Sequence, residues 1–326
     1  MSSLRWGFLG TGWIAEEMAR ALQSVGGTIT AVASRKGAKA QAFAQQFGIP
    51  AYCDSYRALC QREDVDVVYI ALPHSMHREL SLCALDCGKH VLCEKPFTLN
   101  SAEAAEIFAL AGKRHLFVME AGWTRFIPLL GEMIDFVKAG KLGKVRMLKA
   151  DDAFCMSEAS PDSRILDPKM GGGALLDVGY YPLTLAAMLF GKPQEILSTA
   201  ALSGGIDLCN AAILRYPGGE MTLLCSSIGG QLPNDAVIMG ERGYLRLCDF
   251  VGCTHAELCL DGKTEHIDRP HACNGYEYQM RHVEECILAG LCESPVIPYA
   301  ATMEMMREMD VMRSQWNLVY PGEQGN

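Results

Sequence analysis

The sequence predicts an α/β fold in two parts: a parallel sheet covered by helices, then an α+β half built on a large, mainly antiparallel sheet. Three observations predict it. Strand-like and helix-like segments alternate as far as residue 121, and a nearly unbroken apolar run at 65–72 has the signature of a strand buried on both faces. From residue 195, strand-like segments follow one another with turn residues between them.

In order, 4–9 is an apolar strand, and 13–25 carries Ile14, Met18, Leu22 and Val25 at helical spacing. A second strand is expected at 28–33. An Ala-rich helix with Phe43 and Phe47 four apart follows at 38–47, then the strand 65–72 and a helix at 76–87. A short strand at 91–93 precedes a helix that Asn100-Ser101 caps and that runs to 114, and 116–121 is the next strand. The rhythm then changes. A helix at 128–139 leads to a strand at 145–152, a loop rich in Ser, Pro and Asp, the run Met170-Gly171-Gly172-Gly173, and an apolar helix to about 190. Strands at 210–216 and 220–226 flank Pro217-Gly218-Gly219, a hairpin turn; further strands are expected at 244–247 and 256–260, the latter ending at Asp261-Gly262. Helices at 276–289 and 300–316 close the chain. The expected domains are 1–122 and 123–326.

Composition narrows the function. A chain of 326 residues with 49% apolar and 21% charged residues can bury a full core in two domains. A formal net charge of -9 argues against nucleic acid as a partner, because phosphate neutralisation needs a basic surface. No unbroken apolar run reaches the length of a membrane span and the start does not read as a signal peptide, so neither membrane nor export is expected. Fourteen cysteines without any C-x-x-C read as reduced thiols of the cytoplasm. Cys83, Cys87, His90 and Cys93 lack the paired short loops of a zinc site, so no metal is expected.

Gly10-Thr11-Gly12-Trp13-Ile14-Ala15 is G-x-G-x-x-A between a strand and a helix, the context of a dinucleotide-binding Rossmann turn. Gly10 permits the turn, Gly12 lets backbone approach a pyrophosphate, and Ala15 lets helix and strand pack closely. Gly10, Thr11, Gly12, Trp13 and Ile14 are therefore cofactor-binding candidates. The second strand ends in Ser34-Arg35 rather than the carboxylate that bonds the ribose of NAD. A hydroxyl and a guanidinium suit a 2′-phosphate, so NADP is the expected cofactor, with NAD possible.

Lys95, in Glu94-Lys95-Pro96, falls at the carboxyl end of a parallel strand, the edge where open α/β sheets bind ligands. Asp177 and Tyr181 are four apart, which puts them on one helical face. Pro182 cannot donate to residue 178, so that helix must be kinked or only beginning there. An ammonium favours the phenolate of a nearby tyrosine, so Lys95, Tyr181 and Asp177 are the catalytic candidates for proton transfer.

These motifs together resemble the Gfo/Idh/MocA oxidoreductase family over essentially the whole chain. The resemblance rests on the glycine turn, Pro73 through His77, the Glu-Lys-Pro triplet, Gly171 through Pro182 and the closing 312–321 segment. Within the family, Trp123-Thr124-Arg125-Phe126 is similar to the branch of NADP-linked dihydrodiol and xylose dehydrogenases. The resemblance implies that Lys95 contacts substrate and nicotinamide ribose, that Tyr181 is the acid/base supported by Asp177, and that Glu94 holds the Lys-Pro turn, often cis in the family. It implies that Leu72, Pro73, His74 and His77 line the cofactor cleft, unless the histidines satisfy loop backbone instead. Trp123 and Arg125 would flank nicotinamide and substrate, and Arg164 would lie near the cofactor. It also implies an open-faced second sheet through which two copies form a homodimer, and a sugar, polyol or trans-dihydrodiol as substrate. Phe154 and Tyr276 are either pocket or core aromatics. Two other functions stay open on this scaffold: a redox-assisted glycosidase, which would not turn its cofactor over, and a non-catalytic NADP-sensing regulator.

Overall fold

Six parallel strands order as β3-β2-β1-β4-β5-β6 in the first sheet: β1 (Arg5–Leu9), β2 (Thr28–Ala33), β3 (Ala51–Cys53), β4 (Val67–Ile70), β5 (His90–Glu94) and β6 (Val118–Ala121). The computed structural model describes residues 4–156 and 163–323, so most of the Ser/Pro/Asp-rich loop lies outside the described residues. The strand order reverses between β1 and β4, the switch point at which doubly wound sheets take ligands. All four residues of β4 are buried, which is why the sequence shows no alternation there, and the strand begins only after Asp66, whose carboxylate takes the Arg5 guanidinium at 2.7 Å. The connecting helices are α1 (Trp13–Ser24), α2 (Gly37–Phe47), α3 (Tyr56–Cys60), α4 (His77–Asp86) and α5 (Ser101–Arg114). In α1, Ala15, Met18, Ala19 and Leu22 form the buried stripe; burying Met18 and Leu22 stabilises by about 1.5–3 kcal/mol each. The Asn100 side chain accepts from Glu103 N–H at 3.0 Å, and Glu103 accepts from Leu99 N–H at 3.1 Å, which starts α5 where the sequence predicts.

The second sheet has eight strands in the order β14-β13-β12-β11-β7-β10-β9-β8. After α6 (Pro128–Lys138) come β7 (Val145–Ala153) and α7 (Tyr180–Phe190). Then follow β8 (Glu195–Ser203), β9 (Ile206–Arg215), β10 (Met221–Ser227), β11 (Ala236–Gly240), β12 (Gly243–Cys248), β13 (His255–Leu260) and β14 (Lys263–Asp268). Only β7 and β10 pair in parallel; every other neighbour is antiparallel. Period-2 burial gives the sheet two unlike faces: Leu148, Ala150, Leu214, Leu224, Ile238, Leu245 and Leu247 point to the core, while Leu197, Ile213, Leu223, Met239 and Tyr244 are exposed. The segment Pro168–Phe190 is long and apolar enough to cross a membrane by length and composition, its apolar window having mean hydropathy 1.3, but 78% of that window is buried inside the protein.

The expected boundary after residue 122 needs correction. The chain packs as one unit of 1–123 plus 272–303 and a second of 124–271 plus 304–326, so α8 (Glu277–Leu288) belongs to the first unit and α9 (Tyr299–Trp316) begins there. The return is held by specific bonds. The buried Trp6 indole donates to Glu284 at 2.9 Å, Asn274 Nδ2 donates to the Glu17 carbonyl at 3.0 Å, and Val118 N–H donates to the Cys292 carbonyl at 3.1 Å.

Candidate active site

In the first unit the glycine turn is built as its residue types require. Gly10 has φ +114, and a Cβ there would meet the Ala71 carbonyl oxygen at 2.2 Å. Gly12 is the N-cap of α1, with nothing within 4 Å of where its Cβ would stand and no side chain capping the helix. No side chain takes the first N–H groups of this twelve-residue helix, which fits the pyrophosphate of a dinucleotide. Trp13 is 69% exposed at the first helical position, Thr11 and Ile14 are half-buried, and Ala15 is fully buried against the sheet.

Ser34 is buried at the end of β2, its hydroxyl accepting from Lys36 N–H at 3.4 Å. Arg35 lines a groove of about 540 Å³ together with Arg57 and Arg78, two guanidiniums that no motif singled out, and with Asp54, Glu79 and Asp86. Arg78 is also paired with Glu106.

Three segments meet around the Lys-Pro turn. The Lys95-Pro96 peptide is cis. Glu94 is buried, accepts from the Tyr69 hydroxyl at 2.6 Å and from Lys95 N–H at 3.3 Å. Burial first, and then the Glu94 charge, hold the Tyr69 phenol well above its ordinary range, so Tyr69 stays a donor. The fully buried His77 sets Nδ1 3.0 Å from the Pro96 carbonyl and Nε2 2.8 Å from the Leu72 carbonyl, tying the Leu72-Pro73 loop to the turn. His74 is buried beside it, ring centroids 5.7 Å apart. Glu120 was missed by the sequence reading: it accepts from Phe97 N–H at 2.9 Å and from the Thr302 hydroxyl at 3.1 Å, fixing the chain just past the turn. A buried acid in an apolar strand was the available signal. Trp123 packs on Tyr276 at 4.3 Å between ring centroids, so both are buried aromatics of this unit.

The second unit carries Arg164, Asp177 and Tyr181. The helix expected to hold Asp177 and Tyr181 on one face is a π-helical turn, Leu175–Gly179, followed by α7 from Tyr180. Pro182 lies just past this turn in a continuous helical run, so the irregular winding stands next to the residue that cannot donate. Asp177 and Tyr181 are both buried, and Arg164 donates to Asp177 at 3.2 Å. The structure therefore sets Arg164 beside a catalytic candidate. The glycines seat this segment on the sheet: a Cβ at Gly173 (φ +111) would stand 2.4 Å from Asp207 Oδ1, and one at Gly179 would stand 2.9 Å from Ser226 Oγ. Asp207, unremarked in the sequence, accepts from Leu175 N–H at 2.9 Å and from Asn210 Nδ2 at 2.7 Å; burial pushes its carboxyl up to about 6. The Tyr320 hydroxyl donates to the Gly172 carbonyl at 2.6 Å.

Comparison with known proteins agrees with this geometry. Residues 4–121 match the oxidoreductase family with an NAD-binding Rossmann fold named GFO_IDH_MocA, and 131–246 match the GFO/IDH/MocA C-terminal domain. The chain is 34% identical to trans-1,2-dihydrobenzene-1,2-diol dehydrogenase of Xenopus laevis, over 97% of this chain and 99% of the relative. It is 33% identical to the enzyme of that name from Homo sapiens, over 98% of each. Among solved structures, a 3-ketoreductase from Actinomadura kijaniata in complex with NADP and TDP-benzene superimposes with a TM-score of 0.88 at 26% identity, covering 96% of this chain and 98% of that one. An aldose-aldose oxidoreductase from Caulobacter crescentus complexed with glycerol gives 0.86 at 25%, covering 96% and 97%.

Proposed function

The chain belongs to the Gfo/Idh/MocA oxidoreductase family, and from that premise we propose that it is an NADP-linked dehydrogenase of a sugar, polyol or trans-dihydrodiol, with Lys95 and Tyr181 moving the proton. The observation that carries the reading is the braced Lys-Pro turn at a parallel-strand end, in a chain whose other unit presents a buried tyrosine and aspartate on one short helical segment.

The turn at Gly10–Ile14 and the N-terminus of α1 hold the pyrophosphate. Ser34 and Arg35, with Arg57 and Arg78 along the same groove, take the 2′-phosphate; guanidinium forks suit a phosphate dianion, and the absence of a carboxylate at the end of β2 favours NADP over NAD. Leu72, Pro73 and Trp123 line the nicotinamide side, as the family resemblance implies. When bound, the nicotinamide supplies the two-electron chemistry at the carbinol carbon. Lys95 holds the substrate oxygen and the ribose, and its ammonium favours the Tyr181 phenolate. Tyr181 takes the hydroxyl proton on oxidation and returns it on reduction. Asp177, neutralised in part by Arg164, orients the tyrosine.

The exposed Leu197, Ile213 and Leu223 are cross-strand neighbours on the open face of the second sheet and support a homodimer through it, readable by sedimentation velocity. Fourteen cysteines without any C-x-x-C support a cytoplasmic location.

The test is a panel of sugars, polyols and aromatic dihydrodiols incubated with NADP+ while the absorbance of reduced nicotinamide is followed. Turnover on one class is expected, and Lys95→Met should lower kcat by at least about 100-fold while NADP still binds. Near-normal turnover in that variant removes Lys95 from the chemistry. Arg35→Ala should raise the KM for NADP far more than that for NAD; equal effects would take Arg35 off the 2′-phosphate.

A further inference from the structure

We propose that Cys248, His255 and Glu257 form a binding site for a zinc-class divalent cation on the open face of the second sheet. One ligand atom from each of the three lies within 4.8 Å of the other two. The placement follows from the pairing of the strands. Cys248 on β12 sits directly opposite His255 on β13, and Glu257 is two residues further along β13, so all three side chains leave the same face. A rigid sheet, rather than a loop, sets their spacing.

The surroundings carry the features that metal-binding imidazoles need. His255 Nδ1 lies 2.7 Å from Asp268 Oδ1, on the next strand. A carboxylate accepting from one ring nitrogen fixes the tautomer and puts the lone pair on Nε2. Glu257 and Cys248 supply an oxygen and a sulfur, a mixed set that suits zinc over magnesium or calcium. The nearby charges sum to an anion: Asp235, Glu257 and Asp268 outnumber Arg246, which donates mainly to Asp235 at 2.6 and 2.8 Å and to Glu257 Oε2 at 3.2 Å, and Arg269, which donates to the Asp268 carbonyl at 2.8 Å. That leaves Glu257 Oε1 for the metal. Burial, then the Asp235 charge, holds the Cys248 thiol above its ordinary range, so the group is a thiol until a metal displaces its proton. On binding, the Sγ–H bond breaks, the proton leaves to water and the Sγ–metal bond forms; nothing is oxidised. All three ligands are partly exposed, so a water completes the tetrahedron. A cation here would pin β12 to β13 beside β14, whose residues are almost all exposed.

Cobalt(II) is the probe, because thiolate ligation gives it a near-ultraviolet charge-transfer band. The full chain, reduced and freed of metal by dialysis against a chelator, is titrated with Co2+ and then with Zn2+. One equivalent of cobalt should raise the band, and zinc should bleach it. Cys248→Ser should abolish the band. Glu257→Gln, which keeps shape and removes one ligand, and Asp268→Asn, which removes the carboxylate behind the imidazole, should each weaken cobalt binding by about 10–100-fold. No band in the wild type, or a band that survives Cys248→Ser, would show that cobalt is not held here. Should the serine variant fail to fold, unchanged affinity in Glu257→Gln overturns the proposal equally. None of these residues is in the proposed active site, so loss of the dehydrogenase reading leaves this outcome untouched.

Discussion

Gly179→Ala is a substitution whose sign should reverse with one neighbouring atom. Gly179 has φ -62 and ψ -22, ordinary helical values, so alanine fits the backbone and should stabilise by about 0.5–1 kcal/mol through helix propensity alone. The new Cβ, however, would stand 2.9 Å from Ser226 Oγ and 3.2 Å from Leu175 Cδ1. Leu175 can yield at its flexible end. Ser226 cannot yield cheaply, because it is buried on β10 and its hydroxyl accepts from Asn210 Nδ2 at 2.7 Å. Overpacking of this kind costs about 1–3 kcal/mol, so the net change in the wild-type background should be a loss near 1 kcal/mol. In a Ser226→Ala background the obstructing oxygen is gone and the helix-propensity gain should emerge. Urea unfolding of the four proteins of the cycle reads the coupling directly, expected at about 1–3 kcal/mol. The same effect of Gly179→Ala in both backgrounds would refute the claim that this glycine exists to seat the Asp177–Tyr181 segment against β10.

Two further outcomes are expected. Burial, with Glu304 adding to it, pushes the Glu308 carboxyl up to about 8. An acid whose folded pKa lies above its unfolded value binds more protons when folded, so stability should fall as pH rises from about 5 to 8, by roughly 4 kcal/mol for this group. Glu308→Gln should flatten that part of the stability profile, and a variant that keeps the wild-type slope would remove Glu308 as its cause. Arg313 is buried, donates to Glu323 at 2.8 and 3.0 Å and to Asp310 at 3.0 Å, and lies over the Tyr320 ring. Arg313→Met strands two carboxylates and should cost about 3–5 kcal/mol by urea midpoint; a loss below about 1 kcal/mol would mean the network is not holding the C-terminal turn.

The elements that the sequence announces are those with a period or a punctuation mark. Five strands of the first sheet (β1, β2, β4, β5 and β6), the Asn100 cap, the Pro217–Gly219 turn and the glycine turn before α1 all form where local physics puts them. Three strands left no such mark. β3 is three residues long, β11 gave no clear alternation, and β14 is a polar edge strand whose pairing to β13 is decided by the turn at Asp261-Gly262 and not by a buried face. The glycine run at 171–173 was legible as a motif, but its reason was not: a Cβ at Gly172 would strike the Ile165 carbonyl, and one at Gly173 would strike Asp207, on a strand further along the chain.

By itself the sequence determined the α/β class, the dinucleotide turn and the candidate proton-transfer residues, because backbone conformation and strand burial depend on residues close in the chain. Only the tertiary structure decided that 272–303 returns to the first unit, that Glu120 and His77 brace the Lys-Pro turn, and that a π turn precedes α7. Those are bonds between groups tens to hundreds of positions apart. Nothing local records which buried donor a distant carboxylate or carbonyl will meet until the chain has closed on itself.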